Sequence, residues 1–486
     1  MQVSVAGVVV CCVLLIGGWY LRSPLIVPLL GSLAFGSTAI VTLEFLGGAS
    51  PLIFTAFALI LIAAASARKS TFQDFCAVLA SHRSSWIVCV IPLYALASAV
   101  ILPRLFAGQT TIFVPARTSG QVFEVPLQPV TGNITQLGYF SLAVLTFIAL
   151  SILLRRDRYL EGVRRGLFAL AIVHASLGVV DLAGKLVGGG DFLSSLRTAN
   201  YALLTDVSEA GFWRIVGGYS EASAYGGATL AYLAFTYVYW RVTNSRPALF
   251  LTLVLCVLLV LSTSSTAYLG GVVLAVVVIL CTMHSAVRGR LLSQDVVMLG
   301  LVIFCMTLGL FLYLQNEHLF ESFAQLLESA IVNKSLSASA QERMYWNYKS
   351  LQSFFDTAGL GIGFGSSRSS SWPVAVISQI GLAGALMFAV LVATLFGGFN
   401  QKNASVSNVT FIALGRSARA GAFATLGAAT IAGGGADPGL LFFVFLATVL
   451  ACRDRLSGEV SRVRYRWFSA PALNAYPATE TSRRSS

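Results

Sequence analysis

The feature that most constrains this chain is a series of apolar runs, each about long enough for a helix to cross a lipid bilayer. They fall near residues 3–20, 25–44, 51–66, 85–103, 136–154, 166–187, 222–240, 247–262, 266–283, 296–314, 373–397, 418–432 and 438–452. About 20 apolar residues in a helix span about 30 Å of hydrocarbon. Only 11% of the residues are charged and 56% are hydrophobic. The chain is therefore predicted to be an all-α polytopic transmembrane helix bundle of about 12–13 spans.

The positions of lysine and arginine predict the orientation of this bundle. Most of the 32 basic residues fall in loops such as 67–84 and 155–165 and near the C-terminus, and loops rich in these residues stay in the cytoplasm. The segments 104–135, 186–221 and 315–372 are then external. The net charge of +12 follows from this topology, so binding to nucleic acid is not needed to explain it.

Two regions differ in composition. Residues 1–452 form the predicted transmembrane domain, which includes the external loop 315–372. Residues 453–486 are basic, rich in Ser, Pro and Ala, and lack an apolar period. This composition predicts a disordered cytoplasmic tail that is attracted to anionic lipid.

The metal-ligating residue types are scattered. The eight cysteines lie in predicted spans or in a cytoplasmic loop, so we expect no disulfide framework. No group of Cys, His, Asp or Glu has the spacing of a metal site. We therefore expect no metal and no cofactor.

The external loop 315–372 contains two predicted helices, at about 318–331 and 339–355. The second opens with a Ser-Ala-Gln-Glu capping box, which puts Arg343 in a first helical turn. The positive end of the helix dipole disfavours another cation there unless an anion compensates. Anion binding and simple pairing with Glu342 are both open interpretations.

Other external segments supply further candidate groups. Segment 104–135 has the prolines and β-branched residues of a small hairpin. Asp181 and Lys185 are four residues apart on one helical face, and we expect them to neutralise each other, with substrate binding as the alternative.

Arginine, glycine and hydroxyl residues recur where the chain re-enters the membrane. Arg214 and Glu221 flank the pair Gly217-Gly218, which permits close approach of a ligand to the backbone. Five consecutive hydroxyl residues, 262–266, join two predicted spans. They predict either a donor set for a sugar or polyanion, or only a polar helix hairpin.

In order along the chain, these motifs resemble the O-antigen ligase/polymerase superfamily. The resemblance is carried, over about residues 130–400, by Arg214 with Gly217-Gly-Tyr-Ser-Glu221, Ser262-Thr-Ser-Ser-Thr266, Gln341-Glu-Arg343, Gly361-Ile-Gly-Phe-Gly365-Ser-Ser-Arg368 and Ile380-Gly-Leu-Ala-Gly384. Within the superfamily, Gly132-Asn-Ile-Thr-Gln136 is similar to exopolysaccharide polymerases. Ser370 stands where ligases commonly carry histidine, and Thr263 stands where they tend to carry arginine. Both differences favour a polymerase over a ligase.

The resemblance implies a glycosyltransferase of the bacterial inner membrane with a multi-helix fold and a periplasmic active site. Its implied substrate is an undecaprenyl-diphosphate-linked glycan, with no nucleotide sugar or metal. Its implied partners are the lipid bilayer and a chain-length regulator and flippase of the same pathway. The predicted catalytic residues are Arg214, Glu221 and Arg343. The predicted substrate-binding residues are Arg197, Ser220, Ser264, Tyr345 and Arg368.

Three alternatives stay open. An O-antigen ligase would transfer the lipid-linked glycan to another acceptor. A transporter or flippase for lipid-linked sugar should show interrupted helices repeated between two halves, and the sequence shows no such repeat. A non-catalytic assembly protein would need no constellation of Arg and Glu.

Overall fold

The computed structural model describes residues 2–42, 49–81, 83–115, 121–188, 191–201, 203–205, 208–209, 212–315, 338–399 and 406–468. Over these residues the chain forms fifteen α-helices and three small two-stranded antiparallel sheets. The predicted all-α helix bundle is therefore confirmed. The helix predicted at 318–331 lies outside the described residues.

Most of the helices follow the apolar runs. They are α1 (Val5–Tyr20), α2 (Ile26–Ser32), α3 (Ile53–Ser66), α4 (Thr71–Ser81), α5 (Arg83–Leu105), α6 (Thr131–Leu153), α7 (Asp157–Leu186), α8 (Ala222–Thr243), α9 (Arg246–Leu261), α10 (Ser265–Val287), α11 (Ser293–Gln315), α12 (Ala338–Asp356), α13 (Trp372–Leu395), α14 (Val406–Ala432) and α15 (Leu440–Phe468). The strands are β1 (Gln2–Val3), β2 (Val41–Thr42), β3 (Thr111–Pro115), β4 (Val122–Pro126), β5 (Ser208–Glu209) and β6 (Phe212–Trp213).

Several of these helices can cross a membrane. By length and composition, α6, α7, α10, α13 and the Ser84–Leu105 part of α5 meet that requirement among the described residues. Helices α3 and α4 meet it together but are bent by 102°, and α1 and α9 are apolar but shorter. A helix lies along each predicted span except 25–44, of which α2 covers only Ile26–Ser32. The chain is thus a multi-pass membrane protein.

The predicted span at 25–44 is not a continuous helix. Helix α2 has seven residues, and the chain then runs through buried turns. The Ser37 amide donates to the Gly218 carbonyl at 2.9 Å, and the Thr38 hydroxyl donates to the Leu196 carbonyl at 2.7 Å. Irregular backbone is tolerated at membrane depth when protein groups satisfy it. This stretch therefore packs against the loop that precedes α8, instead of crossing the bilayer as a helix.

The polar connections gather at one end of the bundle. The hairpin of β3 and β4, anticipated in segment 104–135, lies beside α12, where the hydroxyls of Thr110 and Ser353 are 3.1 Å apart. The Asn133 amide at the start of α6 donates to the Phe364 carbonyl at 2.8 Å. We call this the loop end, defined by the β3–β4 hairpin and the first turns of α6, α8 and α12.

Ion pairs that involve arginine concentrate at the opposite end. Arg241 at the end of α8 binds Asp295 at 2.6 Å, and Arg455 in α15 binds Asp157 at 2.8 Å. We call this the arginine end, defined by Arg241, Arg455 and the start of α7. Helix α15 runs from this end as far as Phe468, past the boundary at 453 expected for a disordered tail. Residues 469–486 lie outside the described part.

The glycine-rich segment 359–365 is a buried and fixed loop. All four glycines have positive φ, from 76° to 98°, a region that residues with a Cβ rarely adopt. Gly381 breaks α13 with φ 64°, and a Cβ there would lie 2.4 Å from the Leu360 carbonyl oxygen. The Phe364 ring packs 5.0 Å from that of Phe140. The loop is therefore locked against the broken helix and the aromatic core.

Candidate functional site

A cavity of about 180 Å³ lies at the loop end. Its lining residues are Leu204, Arg214, Glu221, Ala222, Ser223, Ser264, Ser265, Thr266, Ser339 and Arg343. The structure thus brings together the three residues predicted to be catalytic and Ser264, which was predicted to bind substrate. These residues come from three motifs that are far apart in the sequence.

Three helices begin at the wall of this cavity. Helix α8 starts at Ala222, α10 at Ser265, and α12 one residue before Ser339. The first turn of a helix has N–H groups without intrahelical partners and carries the positive end of the helix dipole. Three such turns and two guanidinium groups favour an anion in the cavity.

The two arginines enter the cavity from separate elements. Arg214 follows β6 in the loop that leads to α8, and Arg343 lies on α12 four residues after Ser339, on the same helical face. Because α12 begins at Ala338, Arg343 lies in the second turn rather than in the first turn that the capping box suggested. Guanidinium groups bind phosphate through paired N–H donors.

Glu221 is the one carboxylate among the described residues that line the cavity. It is the N-cap residue of α8 and has an extended backbone, with φ −157° and ψ 158°. The Ser223 hydroxyl donates to its Oε1 at 2.5 Å. A helix N-terminus is a favourable place for a carboxylate, and this one can accept a proton from a hydroxyl bound in the cavity.

The hydroxyl residues 262–266 divide into two groups. Ser262 donates to the Leu259 carbonyl at 2.7 Å, a local contact at the end of α9. Ser264 is fully buried, yet its Oγ and that of Ser265 have no hydrogen-bond partner among the described residues. Buried hydroxyls without partners are unfavourable. Because these two hydroxyls lie in the cavity wall, the interpretation of the run as a donor set for a ligand is favoured over that of a polar helix hairpin.

A buried ion network lies directly behind Arg214. Asp181 Oδ2 is 3.1 Å from Lys185 Nζ, and Asp181 Oδ1 is 2.9 Å from the Arg197 guanidinium. The side chains of Asp181, Lys185 and Arg197 are only 1%, 4% and 1% exposed. Arg197 also binds Asp191. The Asp181–Lys185 pair forms as predicted, and both side chains are almost inaccessible to solvent.

This network holds the backbone of the turn that carries Arg214. Lys185 donates to the Arg214 carbonyl at 2.7 Å. Asp181 accepts from the amides of Val216 and Gly217 at 2.7 and 3.1 Å, and Arg197 donates to the Gly217 carbonyl at 2.7 Å. Arg197, predicted to bind substrate, does not line the cavity. Its contacts position the turn instead.

Three other predicted substrate-binding residues also lie outside the cavity lining. The Ser220 carbonyl accepts from the Leu204 amide at 2.8 Å. The Arg368 guanidinium stacks over the Trp346 ring, 5.2 Å from its centroid. The first contact holds Ser220 against the lining residue Leu204, and the second holds the loop of Arg368 against α12.

Tyr345, the third of them, points to the β3–β4 hairpin. Its hydroxyl donates to Glu124 at 2.8 Å. The pKa of Glu124 is lowered by a hydrogen bond from Thr111, by the hydrogen bond from Tyr345 and by the positive charge of Lys349. Tyr345 therefore joins α12 to the hairpin.

Six of the ten lining residues were not among the predicted site residues, and the two of these six that carry a hydroxyl outside the run 262–266 are Ser223 and Ser339. Each is close in sequence to a predicted residue, since Ser223 lies two positions after Glu221 and Ser339 lies four positions before Arg343.

Comparison of the chain with protein-family models and with curated proteins finds no match.

Proposed function

We propose that the protein is a membrane glycosyltransferase that polymerises undecaprenyl-diphosphate-linked oligosaccharide repeat units. The observation that carries this proposal is the convergence of Arg214, Glu221, Ser264 and Arg343 on one cavity. These residues belong to three separate motifs of the resemblance to the O-antigen ligase/polymerase superfamily. Independent motifs that meet at one polar cavity support a shared chemical role.

The proposed reaction is transfer of a glycan from one lipid-linked unit to another. A hydroxyl oxygen of the acceptor sugar attacks the anomeric carbon of the donor, and the bond from that carbon to the diphosphate oxygen breaks. Glu221 takes the proton of the attacking hydroxyl. Undecaprenyl diphosphate leaves with the bonding electron pair.

The positive groups of the cavity act on this leaving diphosphate. As the bond breaks, negative charge grows on the bridging oxygen, and fixed donors stabilise that charge more in the transition state than in the ground state. Arg214, Arg343 and the three helix N-termini are such donors. The hydroxyls of Ser264 and Ser265 bind sugar or phosphate oxygens.

The proposal places the loop end in the periplasm of a bacterial inner membrane. In a variant without native cysteines, a cysteine at Gln352 on α12 should react with an impermeant thiol reagent added to intact spheroplasts. A cysteine at Arg290, between α10 and α11, should react only after the membrane is opened. Labelling in the reverse order would contradict this orientation.

A reconstituted assay tests the reaction and separates it from the alternatives. Purified protein in detergent receives an undecaprenyl-diphosphate repeat unit, with no ion gradient, nucleotide sugar or added metal. We expect release of undecaprenyl diphosphate and a ladder of longer lipid-linked glycans. A ligase would leave the glycan length unchanged until a second acceptor was added. A transporter or an assembly protein would form no new bond, and this result would exclude the proposed function.

In the same assay, Glu221→Gln tests the proton acceptor. The amide keeps the shape of the side chain but cannot take a proton, so kcat should fall by about 10²- to 10⁴-fold while KM changes little. Asp437→Asn, which alters a carboxylate of the same end outside the cavity lining, is the control. An unchanged kcat in Glu221→Gln would remove Glu221 from proton transfer.

A further inference from the structure

A second set of cationic side chains lies at the arginine end, where α13, α14 and α15 meet. Arg416 and Arg419 are one turn apart on α14, and both are half-buried. The guanidinium carbons of Arg419 and Arg453 lie 5.3 and 5.2 Å from the centroid of the Phe399 ring. Both arginines donate to the Gly397 carbonyl. The proposed glycosyl transfer uses none of these residues.

No carboxylate in the described part of the chain forms an ion pair with an arginine of α14. Among the described residues, neither Arg416 nor Arg419 forms an ion pair, and the sequence has no Asp or Glu from residue 357 to residue 436. Arg416 also lies within electrostatic range of Arg241. Asp295, however, is engaged by Arg241 through two bonds of 2.6 and 2.9 Å. The cluster therefore has an excess of positive charge in a half-buried place.

Arg453 has a separate structural role in this cluster. It donates to the carbonyls of Leu395 and Gly397, at 2.9 and 2.5 Å, where α13 ends. The end of a helix leaves carbonyl groups unpaired and carries partial negative charge. The hydrogen bonds of Arg453 account for its position, whereas Arg416 forms no hydrogen bond or ion pair with the described residues.

We propose that Arg416 and Arg419 bind the phosphate group of an anionic phospholipid. Two guanidinium groups one helical turn apart offer paired N–H donors to phosphate oxygens, and basic pockets between membrane helices are places where anionic head groups bind. Apolar surface lies beside the cluster. The Phe396 side chain is 71% exposed although its ring packs 5.0 Å from that of Phe423, so it offers a contact for an acyl chain. This binding site is independent of the proposed catalytic cavity.

Lipid binding to the purified full-length protein tests this proposal, and the measurement needs no assay of glycan synthesis. The probes are phosphatidylglycerol, phosphatidylcholine with the same acyl chains, and inorganic phosphate, and native mass spectrometry gives the apparent Kd of each. We expect the wild type to prefer phosphatidylglycerol. Arg416→Gln and Arg419→Gln should each weaken its binding about five-fold, and the double variant should combine the two losses.

The matched control is the double variant Arg246→Gln and Arg288→Gln, which removes two exposed arginines from the same end of the protein. It should change the affinity less than two-fold. Equal loss in both double variants, or equal binding of the two lipids by the wild type, would overturn the proposed site. Binding of inorganic phosphate as tight as that of phosphatidylglycerol would keep the anion site and overturn its assignment to a lipid. If the double variant of Arg416 and Arg419 does not fold, the single variant Arg416→Gln still tests lipid binding, because it removes no hydrogen bond or ion pair with the described residues.

Discussion

Replacing Arg343 with alanine is expected to lower glycan polymerisation by about 10²- to 10³-fold, the usual effect of removing one fixed donor from a developing negative charge. The side chain lies in the wall of the cavity that also holds Arg214 and Glu221. Its loss removes positive charge from the place where the leaving diphosphate is proposed to lie. The measurement is the rate of ladder formation from a lipid-linked repeat unit, with protein in the membrane fraction quantified in parallel.

Lysine at the same position separates charge from geometry. Arg343→Lys keeps a cation but replaces two parallel N–H donors by a compact ammonium group, so it should restore only a small part of the rate. Arg104→Ala is the control, because Arg104 is an exposed arginine of the same end that bonds to its own helix at Val100. Wild-type rates in Arg343→Ala would remove this residue from the mechanism.

The apolar runs predict most of the helices because run length is directly related to bilayer thickness. The same signal fails at residues 33–40, since a buried irregular stretch is as apolar as a membrane span. At residues 33–40, the hydrogen-bond partners of Ser37 and Thr38 distinguish a buried irregular stretch from a membrane span. These partners are backbone carbonyls of the loop before α8. A sequence does not show which backbone carbonyl will accept a hydrogen bond from a given residue, so this contact could not be predicted.

The same limit explains which of the predicted site residues line the cavity and which do not. Motif order predicts Arg214, Glu221 and Arg343, and Arg214 and Glu221 also lie where the chain re-enters the membrane. All three line one cavity. Arg197 was selected for its charge in an external segment. Its partners are Asp181, Asp191 and the Gly217 carbonyl, and only the fold brings these groups together.

Replacing Asp181 with alanine is expected to lower the free energy of unfolding by about 3–5 kcal/mol, because it leaves two buried cations without their shared carboxylate. Lys185 and Arg197 are almost inaccessible to solvent in the network behind Arg214. The change also removes the acceptor of the Val216 and Gly217 amides. Thermal unfolding of the detergent-solubilised protein measures the loss. Glu161→Ala is the matched control on the same helix, since its pairs with Arg164 and Arg165 are partly exposed and should contribute only about 0–1 kcal/mol.

A double variant distinguishes the two roles proposed for this network, which are to stabilise the fold and to position Arg214. The double variant Asp181→Ala and Lys185→Met removes one of the two buried cations that lose their carboxylate in Asp181→Ala. It should therefore be more stable than Asp181→Ala alone. It should still polymerise slowly, because the Arg214 carbonyl has lost its bond from Lys185 and the turn no longer holds the Arg214 guanidinium in the cavity. A displacement of about 1 Å from a productive position can lower a rate about 10²-fold. If activity returned together with stability, the network would maintain the fold without positioning Arg214.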